Sequence, residues 1–413
     1  MRALARAYPI PGRATLLGRP EPVSPYWAAL ANGQASHSME LDDTFLEGSL
    51  HAESSVFSAC MALAEEHGLG GQRFIEGAVV GFEVACRVSR ALQPAVTNVR
   101  GFHPTGTCGV LGAAAAAGKL LGLDAPRMAV AIGVACSQAS GLLEYVTNGA
   151  WTKRFHAGWA AHAGLIAAGL AQQRMTAPRT AIEGRFGFLQ AYSGAPKLDR
   201  FDAGLGETYM ILQTAMKYYP CNYYIQAIND SVLKPAARGD LPVDQIVRIV
   251  VHTVQPAMPL VCEPLEQKRR PTVMLDAQFS VPFNVALALV KKRVVFADFN
   301  EQRFAAPEVC RLMKLTTCAV DSALEAQYPE NWPARVEITL KDGRTLAAET
   351  TYATGDPRHP LTEDQVIEKH RSIVAGVVDP QTDDRILQFA HALERKPEFR
   401  ELTEALKGFV LPA

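Results

Sequence analysis

From Ser24 to Tyr192 the chain is dominated by Ala, Gly and Leu and carries few β-branched runs. Small side chains let backbones approach closely, so such a stretch buries itself best as helix on helix. Local punctuation divides it into helix-length pieces. "SVFSACMALAEEHG" closes on a glycine C-cap signal, and "GQRFIEGAVVGFEVACRVSRAL" restarts at once. "GTCGVLGAAAAAGKLLGL" follows, then "DAPRMAVAIGVACSQASGLLEY", which opens on Asp124 at an N-cap position with a proline in the first turn. "FHAGWAAHAGLIAAGLAQQ" (Phe155 to Gln173) is the longest uncharged candidate for a membrane span. Its two histidines and many small residues predict a tightly packed internal helix instead.

The texture changes after Met216. "QIVRIVVHTV" and "ARVEITLKDGRTLAAETTYATG" alternate apolar and polar residues, and Asp342–Gly343 marks a hairpin turn in the second. Between them "DAQFSVPFNVALALV" and "APEVCRLMKLTTC" read as helices, and "TEDQVIEKHRSIV" and "DDRILQFAHALE" return to helical periodicity near the end. The expected fold class is mainly α. A large all-helical domain is built from both chain ends (residues 1–213 and 359–413), and a smaller α+β lid domain (residues 214–358) is inserted between them.

The 413 residues are 48% hydrophobic with a net charge of −1, enough for a large core and without the basic tracts of a nucleic-acid binder. Partners are therefore expected to be small molecules or identical subunits. Eight scattered cysteines with no C-x-x-C pair argue against a zinc or iron–sulfur centre and suit a reducing, cytoplasmic compartment. Arg2, Arg6 and Arg13, with Pro9 and Pro11, interrupt any apolar run that would form a secretory leader.

Four stretches carry candidate chemistry. "HSMELDDTFLEGSLHAESS" (His37 to Ser55) crowds acids, a threonine and two histidines together. As a metal site, "DDTFLE" resembles the aspartate-rich Mg²⁺ motif of helical terpenoid synthases, but its partner motif is missing: "NDSVLKPAARGD" lacks the needed serine and acid spacing. The plainer reading is a helix terminus capped by Asp42 or Asp43. In "VRGFHPTGTCG", His103 falls where a loop meets a Gly-rich helix start, a setting that favours anions; alone, it is equally an ordinary loop histidine. In "NGAWTKRFHAGWAAH", Lys153 and His156 are three apart and can share a helical face, with Arg154 between them. That spacing suits a cationic cluster for a carboxylate better than a metal pair. "MKYYPCNYYIQAI" puts Lys217 beside four tyrosines at the expected domain junction, as a cleft residue or as part of an amphipathic hinge.

Taken together, "HSMELDDTF", "GFHPTGTCGVLGAAAAAGKLLGL", "GAWTKRFHAGWAAHAG", "EGRFGFLQAYSG", "KYYPCN" and "YATGDPRHPLTEDQVIEKH" resemble, in this order, the MmgE/PrpD family. The family includes 2-methylcitrate dehydratase, cis-aconitate decarboxylase and iminodisuccinate epimerase. The resemblance runs from Gly18 to the C-terminus, and the family usually has a further leading helical segment. It implies an enzyme that needs no metal or cofactor, usually a homodimer, with its active site between a helical domain and a lid. Carried over residue by residue, it implies Glu40 and Thr44 as an acid and threonine four apart, His51 and His103 as the two histidines, and Lys153 and Lys217 as the two lysines. The loop before His51 is one residue longer than the pattern. Phe283 falls where the decarboxylase branch has tyrosine, and Glu40 where it has aspartate. Both departures count against cis-aconitate decarboxylation.

Dehydration, epimerisation and decarboxylation of such acids all develop carbanion-like charge beside a carboxylate. They need cations to hold carboxylates, and a base and an acid of tuned pKa. Lys153, Lys217, His103 and Arg154 suit the first task; His103, Asp42 and His51 suit the second. The leading expectation is a metal-independent lyase or isomerase acting on a small di- or tricarboxylic acid, with proton abstraction and elimination next to a carboxylate as in a 2-methylcitrate dehydratase. The alternatives are an epimerase of a dicarboxylate such as iminodisuccinate, or a member that binds a metabolite without turning it over.

Overall fold

A computed structural model describes residues 10–19, 21–93, 97–98, 100–237 and 241–406. Arg2, Arg6, Pro9, Val99 and Asp240, used in the reading above, lie outside the described residues.

The chain is mainly α-helical. Strands β1 (Ala14–Thr15) and β2 (Pro22–Val23) pair ahead of six long helices. These are α1 (Pro25–Ser36), α2 (Ala52–His67), α3 (Gly71–Leu92), α4 (Gly109–Leu120), α5 (Ala125–Cys136) and α6 (Thr152–Gln172). Their ends follow the expected chemistry. Asp124 accepts from the Arg127 N–H at 3.0 Å, and Gly68 takes the left-handed conformation (φ 64°) that closes α2. The small residues let α3 and α4 pack at backbone distance: a methyl group on Gly112 would lie 2.7 Å from the Gly81 carbonyl oxygen. The stretch weighed as a membrane span is α6, whose Ala157, Ala160, Ala161 and Gly164 are buried. Among the described residues no helix is long and apolar enough to cross a membrane. One apolar cluster joins these helices and takes in Phe389 and Phe399 from the far end of the chain.

A second apolar cluster gathers around a four-stranded sheet. β5 (Ile246–Thr253) runs parallel to β6 (Thr316–Val320) and antiparallel to β7 (Ala334–Leu340), which forms a hairpin with β8 (Thr345–Thr350). Gly343 makes the turn (φ 86°). Helices α7 (Gln226–Ala237), α8 (Val281–Lys291) and α9 (Pro307–Leu315) belong to this part of the chain. Two expected helices are shorter than their sequence patterns. "APEVCRLMKLTTC" leaves the helix at Thr316, where β5 offers a parallel ladder, and the stretch after Asp124 stops at Cys136.

The end of the chain folds back as α10 (Glu363–Val374), opened by a Thr362/Gln365 capping box, and α11 (Pro380–His391). Between the two clusters lies the 39–44 segment. Its strand β3 (Asp43–Thr44) pairs with β4 (Ala215–Met216), and Lys369 of α10 donates to the Leu41 carbonyl at 2.9 Å. Two distant parts of the chain thus hold one short segment in place.

Candidate active site

Glu40 sits in the 39–44 segment with φ 54°, a left-handed conformation that side chains other than Gly seldom adopt. This turn places its carboxylate inside the protein. One oxygen accepts from Lys153 near the start of α6, and the other from Lys217 just after β4 at 3.3 Å. Burial alone would raise the Glu40 pKa, but Lys153 and Lys217 outweigh it and hold the carboxyl down to about 2. Two residues on, Asp42 accepts from Lys217 at 2.9 Å, from the Ser54 hydroxyl at 2.9 Å and from His37 Nδ1 at 2.5 Å. It too is held well below the usual carboxylate range, against burial, chiefly by Lys217 and then by His37. Both ammonium groups are thus matched by carboxylates.

The histidines are neutral, and for His51 the tautomer follows from its partner. His51 Nδ1 lies 2.6 Å from the Asp43 main-chain oxygen and 3.2 Å from the Thr44 hydroxyl. A carbonyl can only accept, so Nδ1 carries the proton and Nε2 holds the free lone pair. Burial, with Lys217 as the next cause, depresses the His51 pKa to about 3. His103 is the residue before the short helix Pro104–Thr107, and its Nδ1 meets His156 Nδ1 at 3.0 Å. One of these two nitrogens donates and the other accepts. Burial lowers both pKa values, that of His156 to about 4.

His51, His103, Lys153 and Thr44 line one cavity, together with Tyr145, Phe279 and Trp332. Its volume is about 40 Å³. Sites for small molecules commonly offer roughly 300–1,000 Å³, so this one is closed. A larger cavity of about 480 Å³ lies on the other side of Asp42 and Asp43, against Phe57, Phe82 and Lys369. It is lined by Lys369 and His370 and lacks His51, His103 and Lys153, which gather at the smaller one.

Other expected residues stand elsewhere. Lys217 is fully buried between its two carboxylates and does not line the cavity. Arg154 lays its guanidinium 5.1 Å from the Trp151 ring centre, away from the cavity lining. Phe283 is a correction: as an inward residue of α8 it packs on Phe299 and Phe304 in the second core, and Phe279 reaches the cavity instead, with Lys153 Nζ 5.5 Å from its ring centre. "DDTFLE" does not form a helix with carboxylates a turn apart. Asp42 turns to Lys217, Asp43 to the start of α2, and Glu47 lies in a 3₁₀ turn. Among the described residues no group of three or more His, Cys, Asp and Glu could hold a metal ion.

Two participants had no assigned role in the sequence reading. His37 bonds to Asp42 and stacks on His103 with ring centres 5.8 Å apart. Tyr145 sets its ring edge-on to His103 at 5.5 Å, and burial keeps its phenol protonated. His37 heads the acid-rich stretch, which was a usable signal. Tyr145 lies in the 3₁₀ helix Leu143–Thr147, and nothing in its local sequence carries such a signal.

The scaffold is mainly helical and buries neutral histidines beside ammonium–carboxylate pairs, an arrangement that supplies side chains for acid–base chemistry. The chain belongs to the MmgE/PrpD family. Residues 1–200 match the MmgE/PrpD N-terminal domain and residues 219–395 the MmgE/PrpD C-terminal domain. It is 29% identical to human cis-aconitate decarboxylase over 413 residues, covering 96% of this chain and 82% of that protein. It is 27% identical to cis-aconitate decarboxylase of Aspergillus terreus strain NIH 2624 over 414 residues (96% and 84%). A cis-aconitate decarboxylase-like protein of Aspergillus oryzae is 28% identical over 418 residues (96% and 85%).

Proposed function

We propose that this chain is a lyase that acts on a small di- or tricarboxylic acid by taking a proton from the carbon beside a carboxylate. The observation that carries this reading is the fixed tautomer of His51. Its Nε2 is a free lone pair on an imidazole that stays neutral far below pH 7, in the same cavity as an ammonium group. Its lone pair can accept a proton, and a substrate carboxylate bound beside it would offset the neighbouring ammonium charges and raise its basicity. Lys153 would hold the substrate carboxylate and stabilise the charge that develops next to it. In a dehydration the C–H electron pair forms the new double bond while hydroxide leaves as water. The departing oxygen then needs a proton, and the His103–His156 pair and the Tyr145 hydroxyl are the donors at hand. We also propose that residues 214–358 act as a lid, because the closed cavity must open to admit a molecule of this size.

The names of the relatives favour a second reading, decarboxylation of a tricarboxylic acid. There the C–C bond to the leaving carboxylate breaks, CO₂ departs, and the electron pair left on carbon takes up a proton. Lys153 is the charged donor in the cavity, and its pKa is lowered by burial, which makes it a readier acid.

The test is NMR in D₂O with 2-methylcitrate, citrate, cis-aconitate and iminodisuccinate. Water loss with exchange of the carbon-bound hydrogen is expected. Loss of CO₂ would replace the first reading with the second, and exchange with inversion alone would make the protein an epimerase. Tight binding without exchange or any bond breaking would make it a binder.

A further inference from the structure

The group that fixes His51 is a main-chain carbonyl, and something must fix that carbonyl. Asp43 and Glu53 do so reciprocally. The Asp43 N–H donates to Glu53 Oε2 at 3.2 Å, and the Glu53 N–H donates to Asp43 Oδ1 at 3.1 Å. These two bonds close the loop that contains Thr44 and His51. His51 itself is the residue before α2 and gives that helix no side-chain cap, so Asp43 caps α2 from across the loop. The Thr44 hydroxyl adds a third hold by donating to the Asp43 carbonyl oxygen at 2.8 Å.

The electrostatics of the pair are unusual. Asp43 is buried, and its Oδ2 has no hydrogen-bond partner. A lone buried carboxylate oxygen is costly, and more so beside a second buried carboxyl and the Asp42 charge. Burial and the neighbouring carboxylates push both groups' pKa values upward. Lys369 faces Glu53 from α10 but already donates to the Leu41 carbonyl.

We propose that Asp43 and Glu53 are positioning residues, and that their clamp on the Asp43 peptide sets the His51 tautomer and leaves Nε2 free as the base. The role of Nε2 as base rests on the proposed function; the tautomer does not. A neutral carboxyl serves the clamp as well as an ionised one, since each group is asked only to accept a main-chain N–H. Charge is a burden at this position, and geometry is what it supplies.

Histidine-selective ¹⁵N labelling reads the tautomer directly from the two ring-nitrogen shifts, with the His51 signal assigned by its loss in His51→Gln. Full-length Asp43→Ala and Glu53→Ala are expected to show His51 as a mixture of tautomers. Their kcat should fall by about tenfold or more, part of the 10²–10⁴ that general-base catalysis supplies, with KM little changed. Glu53→Gln and Asp43→Asn keep the accepting oxygen and should restore the Nδ1–H tautomer and most of the lost kcat. The proposal is overturned if the alanine variants keep the Nδ1–H tautomer, or if the amide variants lose it as fully as alanine does. Where alanine prevents folding, Glu53→Met, of similar bulk but without an accepting oxygen, takes its place with the same expected and overturning results. Should no substrate be turned over at all, the proposed function fails while the NMR result still decides the clamp.

Discussion

Replacing Lys217 with methionine tests the electrostatic centre of the site. The Lys217 ammonium is 0% exposed and lies 2.9 Å from Asp42 and 3.3 Å from Glu40. Methionine fills much the same space and leaves both carboxylates short of a partner. Breaking a buried ion pair from one side typically costs about 3–5 kcal/mol. Here Glu40 keeps Lys153, and Asp42 keeps His37 and Ser54, so the lower end, about 3 kcal/mol, is the expected loss. The scale agrees with the Glu40 carboxyl: its move from 4.5 to about 2 is a net of about 3 kcal/mol, left after the attraction of Lys153 and Lys217 has overcome the cost of burial. Urea unfolding at pH 7, followed by tryptophan fluorescence, measures the loss. Adding Asp42→Asn to Lys217→Met removes one stranded charge and should recover about 1 kcal/mol or more. If Lys217→Met unfolds within about 1 kcal/mol of the parent, as an ordinary surface change would, the buried ion cluster is not holding the site together.

His103→Gln keeps a polar group beside His156 but cannot relay a proton; kcat should fall by about 10²–10⁴ with stability little changed, and near-normal turnover would make His103 a structural residue. Exhaustive treatment with EDTA should leave activity intact, since Glu40, Asp42 and Asp43 are engaged by lysines, histidines and main-chain N–H groups; loss restored by Mg²⁺ would return the metal reading to "DDTFLE". His51 and His156 have folded pKa values of about 3 and 4, below their unfolded 6.5, so the unfolded chain takes up protons first as pH falls. Their contribution to stability is full above pH 6.5 and declines below it, and that of Glu40 follows between pH 4.5 and about 2. A urea midpoint that stays flat from pH 7 to pH 4.5 would contradict the burial of these neutral histidines.

The helices of the first core were legible because their signals are local. Asp124 and Gly68 cap where the sequence says they should, and runs of small residues have few other ways to pack. β6 was hidden because the partner that makes Thr316–Val320 a strand lies some 67 residues earlier in β5. In the site, the family resemblance pointed to His103, Lys153 and Glu40; the fold puts His103 and Lys153 on one cavity and pairs Lys153 with Glu40. The resemblance misplaced Phe283, because sequence alone does not tell which turn of α8 or its approach faces the cavity and which faces the core. The reading of Asp43 as a helix cap was half right: it caps a helix that begins nine residues further on. Tyr145 was invisible, since only tertiary packing brings that 3₁₀ helix against His103.

The bond from Lys369 to the Leu41 carbonyl spans 328 residues. On a ribosome adding about 5–20 residues per second, those two groups are made roughly 15–65 s apart. The six long helices of the first core are synthesised well before α10 exists, and the acid-rich segment must wait among them without its last tether. Newly made chains halted before residue 369 are therefore expected to hold a helical core with a loosely fastened segment 39–44, and the final part of translation to fasten it.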